Sequence, residues 1–230
     1  MMKENTIVQT HPWLIKILGS KNPGHAFVAT IPLYVVFISY VVKIESYLLA
    51  IGLFFLALLY WSFIEYAIHR WLYHTRFKNN KLRWFFETFH LYHHRNIDDR
   101  RVLNAGPLMI YPMVIILMMP IYIILRGNLF LVSAFGIGLA LSYNFYECVH
   151  FLIHYKKFEF GYFSYIQKYH LHHHYKNWNK NFGNTSHLWD VILGTYDKKY
   201  KVFNVTEEYE REMITEKRQK KEQTSLLLTN

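Results

Sequence analysis

The sequence predicts an all-α, polytopic membrane protein with four membrane-spanning helices in two hairpins and a helical cap on the cytosolic side. Hydrophobic residues make up 52% of its 230 residues, and aromatic residues 19%. The mean hydropathy of +0.01 averages long apolar runs with very basic connections. Membrane topology explains the net charge of +10 better than nucleic-acid binding does. The single cysteine, Cys148, excludes an intrachain disulfide.

Four apolar segments predict the spans. Residues 26–43 and 47–68 are separated by only a few residues, and residues 105–125 and 129–153 repeat this arrangement with residues 126–128 between them. A bilayer core needs roughly 20 apolar residues, so the first segment is marginal in length and the second is long enough to span it. Each pair therefore predicts a tight transmembrane hairpin.

The distribution of positive charge predicts the orientation. Residues 70–104 contain eight Lys and Arg residues, and the N-terminal arm and the chain after residue 155 are also basic. The two hairpin turns carry almost no such charge. The positive-inside rule then places both termini and the central loop in the cytosol. We expect a multi-pass protein of the bacterial inner membrane, or of the endoplasmic reticulum if the source is eukaryotic.

We expect one membrane domain over residues 1–230. The N-terminal arm lacks a continuous apolar core, so no cleavable signal peptide is expected. The mixed charge of the C-terminal tail indicates a solvated helix or disorder. The expected parts are an arm at 1–25, hairpins at 26–68 and 105–153, a cytosolic cap at 69–104 and 154–203, and a tail at 204–230.

Histidines recur in two similar patterns, each a pair followed by H-x-x-H-H. His150 and His154 share a helix face, because four residues advance about 400°. The i, i+3, i+4 spacing of the second group also converges on one side. Imidazole is the commonest protein metal ligand near neutral pH. The patterns predict a polynuclear metal site with the ligands His69, His74, His90, His93, His94, His150, His154, His170, His173 and His174.

All ten histidines are expected at one level of the membrane. His69 and His150 lie about 33 and 32 Å from the starts of their spans, at the cytosolic end of the hydrocarbon. Ten nitrogen ligands suit two ions with about five ligands each, leaving positions for dioxygen or water. Such sites accept zinc, copper, iron or nickel. Zinc has no redox chemistry, so iron is favoured if the reaction is an oxidation.

One spacing does not fit a regular helix. His69 and His74 are five residues apart, which separates them by about 140° around an α-helical axis. Either His74 lies past the helix end, or the last turn is π-like or broken. We favour the break, because the chain must leave the membrane there.

Four other histidines are not expected in the site. His172 lies about 200° from His170 on a helix and should point away from the ions. His187, in GNTSHLWD, stands apart from the repeated spacing. The isolated His11 and His25 are interpreted as surface or interfacial residues.

Three acidic residues and one tyrosine are candidates beside the ligands. Glu147 is expected to accept a ring N–H from a ligating histidine, as such histidines usually require. Glu65 and Asp190 are weaker candidates for the same role, and the alternative for Asp190 is to brace its own turn. Tyr146 is expected to hydrogen-bond near the oxygen site, with interfacial packing as its alternative.

A different ligand scheme also matches short motifs. Glu87-x-x-His90 and Glu147-x-x-His150 have the Glu-x-x-His form of soluble carboxylate di-iron bundles. That scheme leaves most of the other histidines without a role, so we disfavour it.

The four histidine motifs resemble those of a known family. HRWLYH, HLYHH, HFLIH and HLHHH occur in this order and are followed by FGNTSHLWDVILGT. They resemble the fatty acid hydroxylase/sterol desaturase superfamily, and within it the fatty acid (ceramide) 2-hydroxylases. The resemblance covers roughly residues 60–196. Two positions depart from it: Glu147 stands where these hydroxylases carry aspartate, and Tyr169 where many relatives have histidine.

The resemblance implies a lipid-oxidising enzyme. It implies a four-helix membrane part, a cytosolic helical cap, and a dimetal centre held by the same ten histidines. The expected cofactors are two iron ions, which zinc can replace in a purified sample, with O2 as co-substrate and a membrane lipid as substrate. Glu147 and Tyr146 are the candidate catalytic residues. The H-P-G-G haem motif of relatives with a fused cytochrome domain is absent, so electrons are expected from a separate electron-transfer protein.

Three functions are compared. The leading hypothesis is 2-hydroxylation of a fatty acyl chain of a (sphingo)lipid. A sterol, carotenoid or other lipid oxidase or desaturase of the same superfamily is the alternative. A metal transporter or sensor is disfavoured, because transport favours polar ligands near mid-membrane, whereas residues 49–60 and 113–125 are apolar.

Overall fold

The computed structural model describes most of the chain between residues 18 and 207. The described residues are 18–43, 46–86, 90–95, 97 and 103–207. The predictions for residues 1–17, for Glu87 and for the tail from residue 208 lie outside the described residues.

Helices dominate the described chain. In order, the elements are β1 (Gly19–Ser20), α1 (Gly24–Val41), α2 (Tyr47–Ala67), a π-helix (Ile68–Tyr73), α3 (Asn80–Phe86), α4 (Tyr92–Arg95), β2 (Asn104–Ala105), α5 (Pro107–Ile124), α6 (Leu129–Tyr155), α7 (Gly161–Tyr175), α8 (Leu188–Ile192) and a 3-10 helix (Lys198–Val202).

Within the described residues, four helices are long and apolar enough to cross a membrane. They are α1, α2 with its π-helical extension, α5 and α6, and their mean hydropathies lie between 1.5 and 2.2. The prediction of four spans in two hairpins is therefore confirmed, with bounds within a few residues of those expected. The chain is that of a multi-pass membrane protein.

Capping residues fix where two of the spans begin. The Ser46 side chain accepts a hydrogen bond from the Leu49 N–H at 3.4 Å. The Asn128 side chain accepts from two N–H groups in the first turn of α6, at 3.1 and 3.2 Å. Arg126 and Gly127 have φ values of 51° and 71°, which reverse the chain between α5 and α6. These contacts satisfy N–H groups that a helix start leaves without partners.

The central helix of the bundle is α6, which packs against α1, α2 and α5. Its span is 61% buried within the protein, against 17% for each of the other three spans. Small residues allow this close packing. A Cβ atom at Gly138 would lie 2.6 Å from the Phe54 carbonyl oxygen of α2, and one at Gly136 would lie 2.6 Å from the Phe37 ring of α1.

Polar side chains inside the bundle have partners on neighbouring helices. The Asn144 amide donates to the Thr30 hydroxyl at 2.9 Å and to the Tyr34 hydroxyl at 3.1 Å. The Tyr111 hydroxyl donates to the Ala29 carbonyl at 2.7 Å. These bonds tie α6 and α5 to α1 where water is absent, so leaving the groups unpaired would be costly.

One short pair of strands departs from the all-α prediction. β1 and β2 pair antiparallel, with Gly19 opposite Ala105 and Ser20 opposite Asn104. Next to them, the Gly106 N–H donates to the Leu18 carbonyl at 2.7 Å. This pairing holds the start of α1 beside the start of α5.

The cap is joined to the membrane part by the end of α6. The Gln167 amide of α7 donates to the carbonyls of Ile153 and Lys156, at 2.7 and 2.5 Å. It therefore satisfies carbonyls that the end of α6 leaves without partners. An apolar cluster that includes Ile153, Ile166 and Tyr200 packs α7 and the 3-10 helix onto α6.

The Gly138→Ala substitution tests the close packing of α2 on α6. The added methyl group meets backbone at 2.6 Å, and overpacking of this kind costs about 1–3 kcal/mol. We expect a lower melting temperature in detergent, measured by circular dichroism. The control is Gly52→Ala, where a Cβ meets nothing within 4 Å, and its melting temperature should stay the same or rise. Equal melting temperatures for the two variants would contradict this packing.

Candidate metal centre

The ten predicted histidines come together in two groups of five. In each group, one candidate ligand atom per residue lies within 4.8 Å of all the others. Nine of the ten side chains are buried, and His74 is partly buried. The first group is His69, His74, His90, His94 and His173, and the second is His93, His150, His154, His170 and His174.

Each H-x-x-H-H motif contributes to both groups. In α7, His170 and His174 belong to the second group, while His173 points into the first. Around α4, the assignment is reversed: His90 and His94 join the first group, and His93 joins the second. The two members of an i, i+4 pair lie about 40° apart around a helix axis, whereas the i+3 residue lies about 60° to the other side of residue i and so about 100° from residue i+4. The motif therefore connects the two groups.

The expected break between His69 and His74 is wrong. The last turn of this span is a π-helix over Ile68–Tyr73, with His74 as its C-cap. The His74 N–H donates to the His69 carbonyl at 3.2 Å, five residues back. This wider turn returns His74 to the side of His69, which an α-helix would not do.

The two groups are in direct contact. The rings of His94 and His174, one from each group, are stacked with centroids 3.9 Å apart and an interplanar angle of 15°. His69 and His170 also face each other across the groups, with centroids 6.2 Å apart. The arrangement is therefore one compact centre with two positions.

Backbone carbonyls orient two rings of the first group. The Nδ1 atom of His173 lies 2.7 Å from the Lys180 carbonyl oxygen, and Nδ1 of His69 is hydrogen-bonded to the Phe182 carbonyl. A carbonyl only accepts, so each Nδ1 carries the proton in the neutral ring and each Nε2 presents a lone pair. Nε2 of His69 is buried without a hydrogen-bond partner.

The spacing of the inward nitrogens fits a metal ion in each group. Neighbouring Nε2 atoms lie 2.9 to 3.2 Å apart. Two nitrogens bound at right angles to one ion, with bonds of about 2.0–2.1 Å, would lie about 2.9 Å apart. Where both nitrogens present lone pairs, they repel each other unless a cation lies between them. Glu147, the glutamate of the soluble carboxylate scheme that lies within the described residues, belongs to neither group.

Burial keeps six of these imidazoles, all outside the membrane spans, neutral. It lowers the pKa of His74 to about 2, with the charge of the neighbouring His69 as a second cause. A neutral ring has a free lone pair and can bind metal without first losing a proton. Burial, and after it the neighbouring imidazoles, lower the pKa well below its ordinary value for His90, His94, His170, His173 and His174.

The prediction that Glu147 accepts a hydrogen bond from a ligating histidine is wrong. Its carboxylate accepts hydrogen bonds from the Tyr143 hydroxyl at 2.6 Å, the Asn104 amide and the Ala105 N–H at 3.4 Å, and no histidine ring is among these partners. The residue therefore holds β2 against α6. Tyr146, one residue earlier, stacks on His150 with ring centroids 5.6 Å apart and an angle of 18°.

Glu65 and Asp190 both bind the segment after α7. Glu65 accepts from the N–H groups of Asn184 and Thr185. Asp190 accepts from the N–H of Phe182. It also accepts from the Thr195 hydroxyl and so braces its own turn, which was the alternative stated for it. Sequence reasoning missed the ring acceptors, because they are backbone carbonyls and carry no residue-type signal. The FGNTS stretch after the last histidine motif was the available indication.

Of the four histidines expected elsewhere, the three within the described residues lie outside both groups. His172 is buried beside Phe203, with ring centroids 5.8 Å apart. His187 is exposed and hydrogen-bonds the Tyr165 hydroxyl at 2.5 Å. His25 is exposed and lies 2.8 Å from the Ser20 hydroxyl.

A cavity of about 110 Å³ borders both groups. Histidines of the first group (His69, His90) and of the second (His93, His150) line it. Apolar side chains of the spans form much of the remaining wall. They include Trp61, Ile68, Met109 and Met113. Trp61 and Met113 also line a second, apolar cavity inside the helix bundle.

Comparison with known proteins decides the family. The fatty acid hydroxylase family model matches residues 54–195, which contain all ten histidines. The chain belongs to the fatty acid hydroxylase family. It is 32% identical to a ceramide very long chain fatty acid hydroxylase of Saccharomyces cerevisiae, over 74% of this chain and 44% of that protein. It is 30% identical to a dihydroceramide fatty acyl 2-hydroxylase of Arabidopsis thaliana, over 59% of this chain and 56% of that protein.

The fold of this family member agrees with a solved structure. That structure is of full-length Scs7p with only the hydroxylase domain visible. The match has a TM-score of 0.64 and 30% sequence identity, and it covers 75% of this chain and 65% of the other. The chain spans about half the length of the two curated relatives named above.

Metal analysis of purified protein tests the assignment of the two groups. We expect about two transition-metal ions per chain by inductively coupled plasma mass spectrometry. His173→Ala should lose at least one, because it removes a ligand of the first group. His172→Gln is the matched control and should keep two ions, since the His172 ring packs against Phe203 and lies outside both groups. An unchanged metal content in His173→Ala would contradict the assignment.

Proposed function

We propose that this protein is an O2-dependent dimetal hydroxylase that acts at the 2-position of a fatty acyl chain of a (sphingo)lipid. The observation that carries the proposal is the cavity that borders both histidine groups and is walled by apolar side chains of the membrane helices. In this proposal an acyl chain enters the cavity from the bilayer and reaches both metal positions. The names of the yeast and plant relatives support this substrate class.

The reaction converts R–H, O2, two electrons and two protons into R–OH and water. Two iron ions held by the ten histidines would supply the activation of O2 and the oxidation of the carbon. Zinc can replace them in a purified sample. The two electrons come from a separate one-electron carrier protein that docks on the cytosolic face, where basic segments would attract an acidic partner.

The chain itself supplies position and a dry site. A cavity of about 110 Å³ accommodates only the part of the lipid next to the reacting carbon. The head group, held at the membrane face, then sets which carbon faces the histidines. Trp61, which is 4% exposed, lines both this cavity and the apolar one inside the bundle, so the wall on that side is apolar.

Tyr146 and Glu147 are proposed as catalytic residues. Both line the cavity, and Tyr146 stacks on His150 of the second group. We propose that its hydroxyl hydrogen-bonds substrate or oxygen there. Glu147 acts beside it by fixing Asn104 and Tyr143, which line the same cavity.

Lipid mass spectrometry tests the activity. Cells that express the protein should contain acyl chains heavier by about 16 daltons, with the added hydroxyl at carbon 2. Growth under 18O2 should raise the gain to about 18 daltons, because one oxygen atom comes from O2.

The matched control for this experiment is His173→Ala expressed at the same level, which should give no product. Oxidised sterols or carotenoids, with unchanged acyl chains, would favour the alternative substrate class. Persistence of the product under strict anaerobiosis would overturn the oxygenase reaction.

We also propose that the metal centre and both termini face the cytosol. Introduced cysteines test this in a Cys148→Ser background, where no other cysteine is present. Lys43→Cys, in the first hairpin turn, should react with an impermeant maleimide in intact cells. Lys157→Cys, just after α6, should react only after permeabilisation. The reverse pattern of labelling would refute this orientation.

A further inference from the structure

The loop after α7 orients two ligands of the first group. Residues 180–185, called here the anchor loop, supply the two carbonyls that accept from His173 and His69. His69 comes from the end of a membrane span and His173 from the cap, so the loop sets the angle between rings on separate elements. Partners of ligating histidines fix ring orientation and raise the basicity of the ring.

Glu65 holds one end of the anchor loop. One oxygen of its carboxylate accepts the N–H groups of Asn184 at 2.6 Å and Thr185 at 2.8 Å. The other oxygen accepts the Thr185 hydroxyl at 2.8 Å. The side chain is 5% exposed, so movement of the loop would leave a buried carboxylate without donors, which is costly.

Asp190 holds the other part of the anchor loop. It accepts from the N–H groups of Phe182 at 2.9 Å and Gly183 at 2.8 Å, and from the Thr195 hydroxyl at 2.7 Å. The turn is tight, since a Cβ atom at Gly183 would lie 1.8 Å from the Ser186 carbonyl oxygen. The two carboxylates together fix the Phe182 carbonyl that faces His69.

The second group is built differently. Four of its five histidines lie as i, i+4 pairs on the long helices α6 and α7, at His150 and His154 and at His170 and His174. In the first group, His69 lies in the six-residue π-helix and His74 is its C-cap. His94 lies on the four-residue helix α4, and His90 precedes that helix. Regular helices fix side-chain direction by themselves, whereas these shorter elements depend on outside contacts.

We infer that Glu65 is a positioning residue for the first metal position, acting through the anchor loop. The two metal positions are consequently not equivalent: the first depends on the loop, and the second on the long helices. This inference rests on the proposed dimetal function.

Metal content of Glu65→Ala, purified as the full chain, tests the inference. The wild type should hold about two ions per chain and Glu65→Ala about one. Adding His69→Ala should leave about one ion, because both changes affect the first position. Adding His150→Ala should leave close to none, because it removes a ligand of the second position. Thr30→Val, a buried polar position of α1 with no contact to the loop, should keep two.

Each outcome separates the inference from the proposed function. A wild type without metal would overturn the dimetal function. A wild type with two ions and a Glu65→Ala variant that also holds two, or that is folded and holds none, would overturn only the inference.

If Glu65→Ala does not fold, a milder variant tests whether Glu65 positions the first metal site. Thr185→Val keeps the Thr185 N–H and removes one donor to Glu65. With a chelator in excess, one of its two ions should leave about 10- to 100-fold faster than from the wild type. Equal acceleration of both ions, or of neither, would overturn the inference.

Discussion

The whole site depends on holding ten imidazoles against one another with their ring nitrogens directed inward. Neighbouring Nε2 atoms lie 2.9 to 3.2 Å apart, and burial keeps the rings outside the spans neutral by lowering their pKa. Without a cation, the lone pairs that point inward repel each other. The buried ring nitrogens have also lost their hydrogen bonds to water, which costs free energy. Each ring therefore needs a support outside the centre, which helices and backbone carbonyls provide.

The central helix α6 connects this centre to the membrane. It is buried along most of its span, and Gly136 and Gly138 let α1 and α2, respectively, approach it closely. The same helix carries His150 and His154 in its last turns. The helix that is fixed by packing inside the bundle therefore also fixes two of the histidines at the site. The cavity lies at that junction, where the bundle meets the histidines.

The candidate metal ligands could be predicted from the sequence, whereas most of the contacts that hold them in place could not. Apolar runs indicated the four spans, because the hydrocarbon thickness sets their length. The spacing of the histidines indicated the ligand set before any contact was known. The π-helical turn at His74 was one of the alternatives, but a break was favoured because the chain must leave the membrane there. The β1–β2 pair was missed, since two-residue strands have no periodicity to detect.

The sequence by itself determined the element types, the spans and the identity of the ten candidate ligands, because these follow from hydropathy, helical period and side-chain chemistry. Only the tertiary structure decided how the ligands divide into two groups, with His173 and His93 each joining the group opposite their neighbours. It also decided the partners of Glu147 and Glu65. These depend on where backbone from distant segments, such as residues 104–105 and 184–185, comes to lie. Every residue has the same backbone groups, so no pattern of side chains specifies which of them will accept or donate.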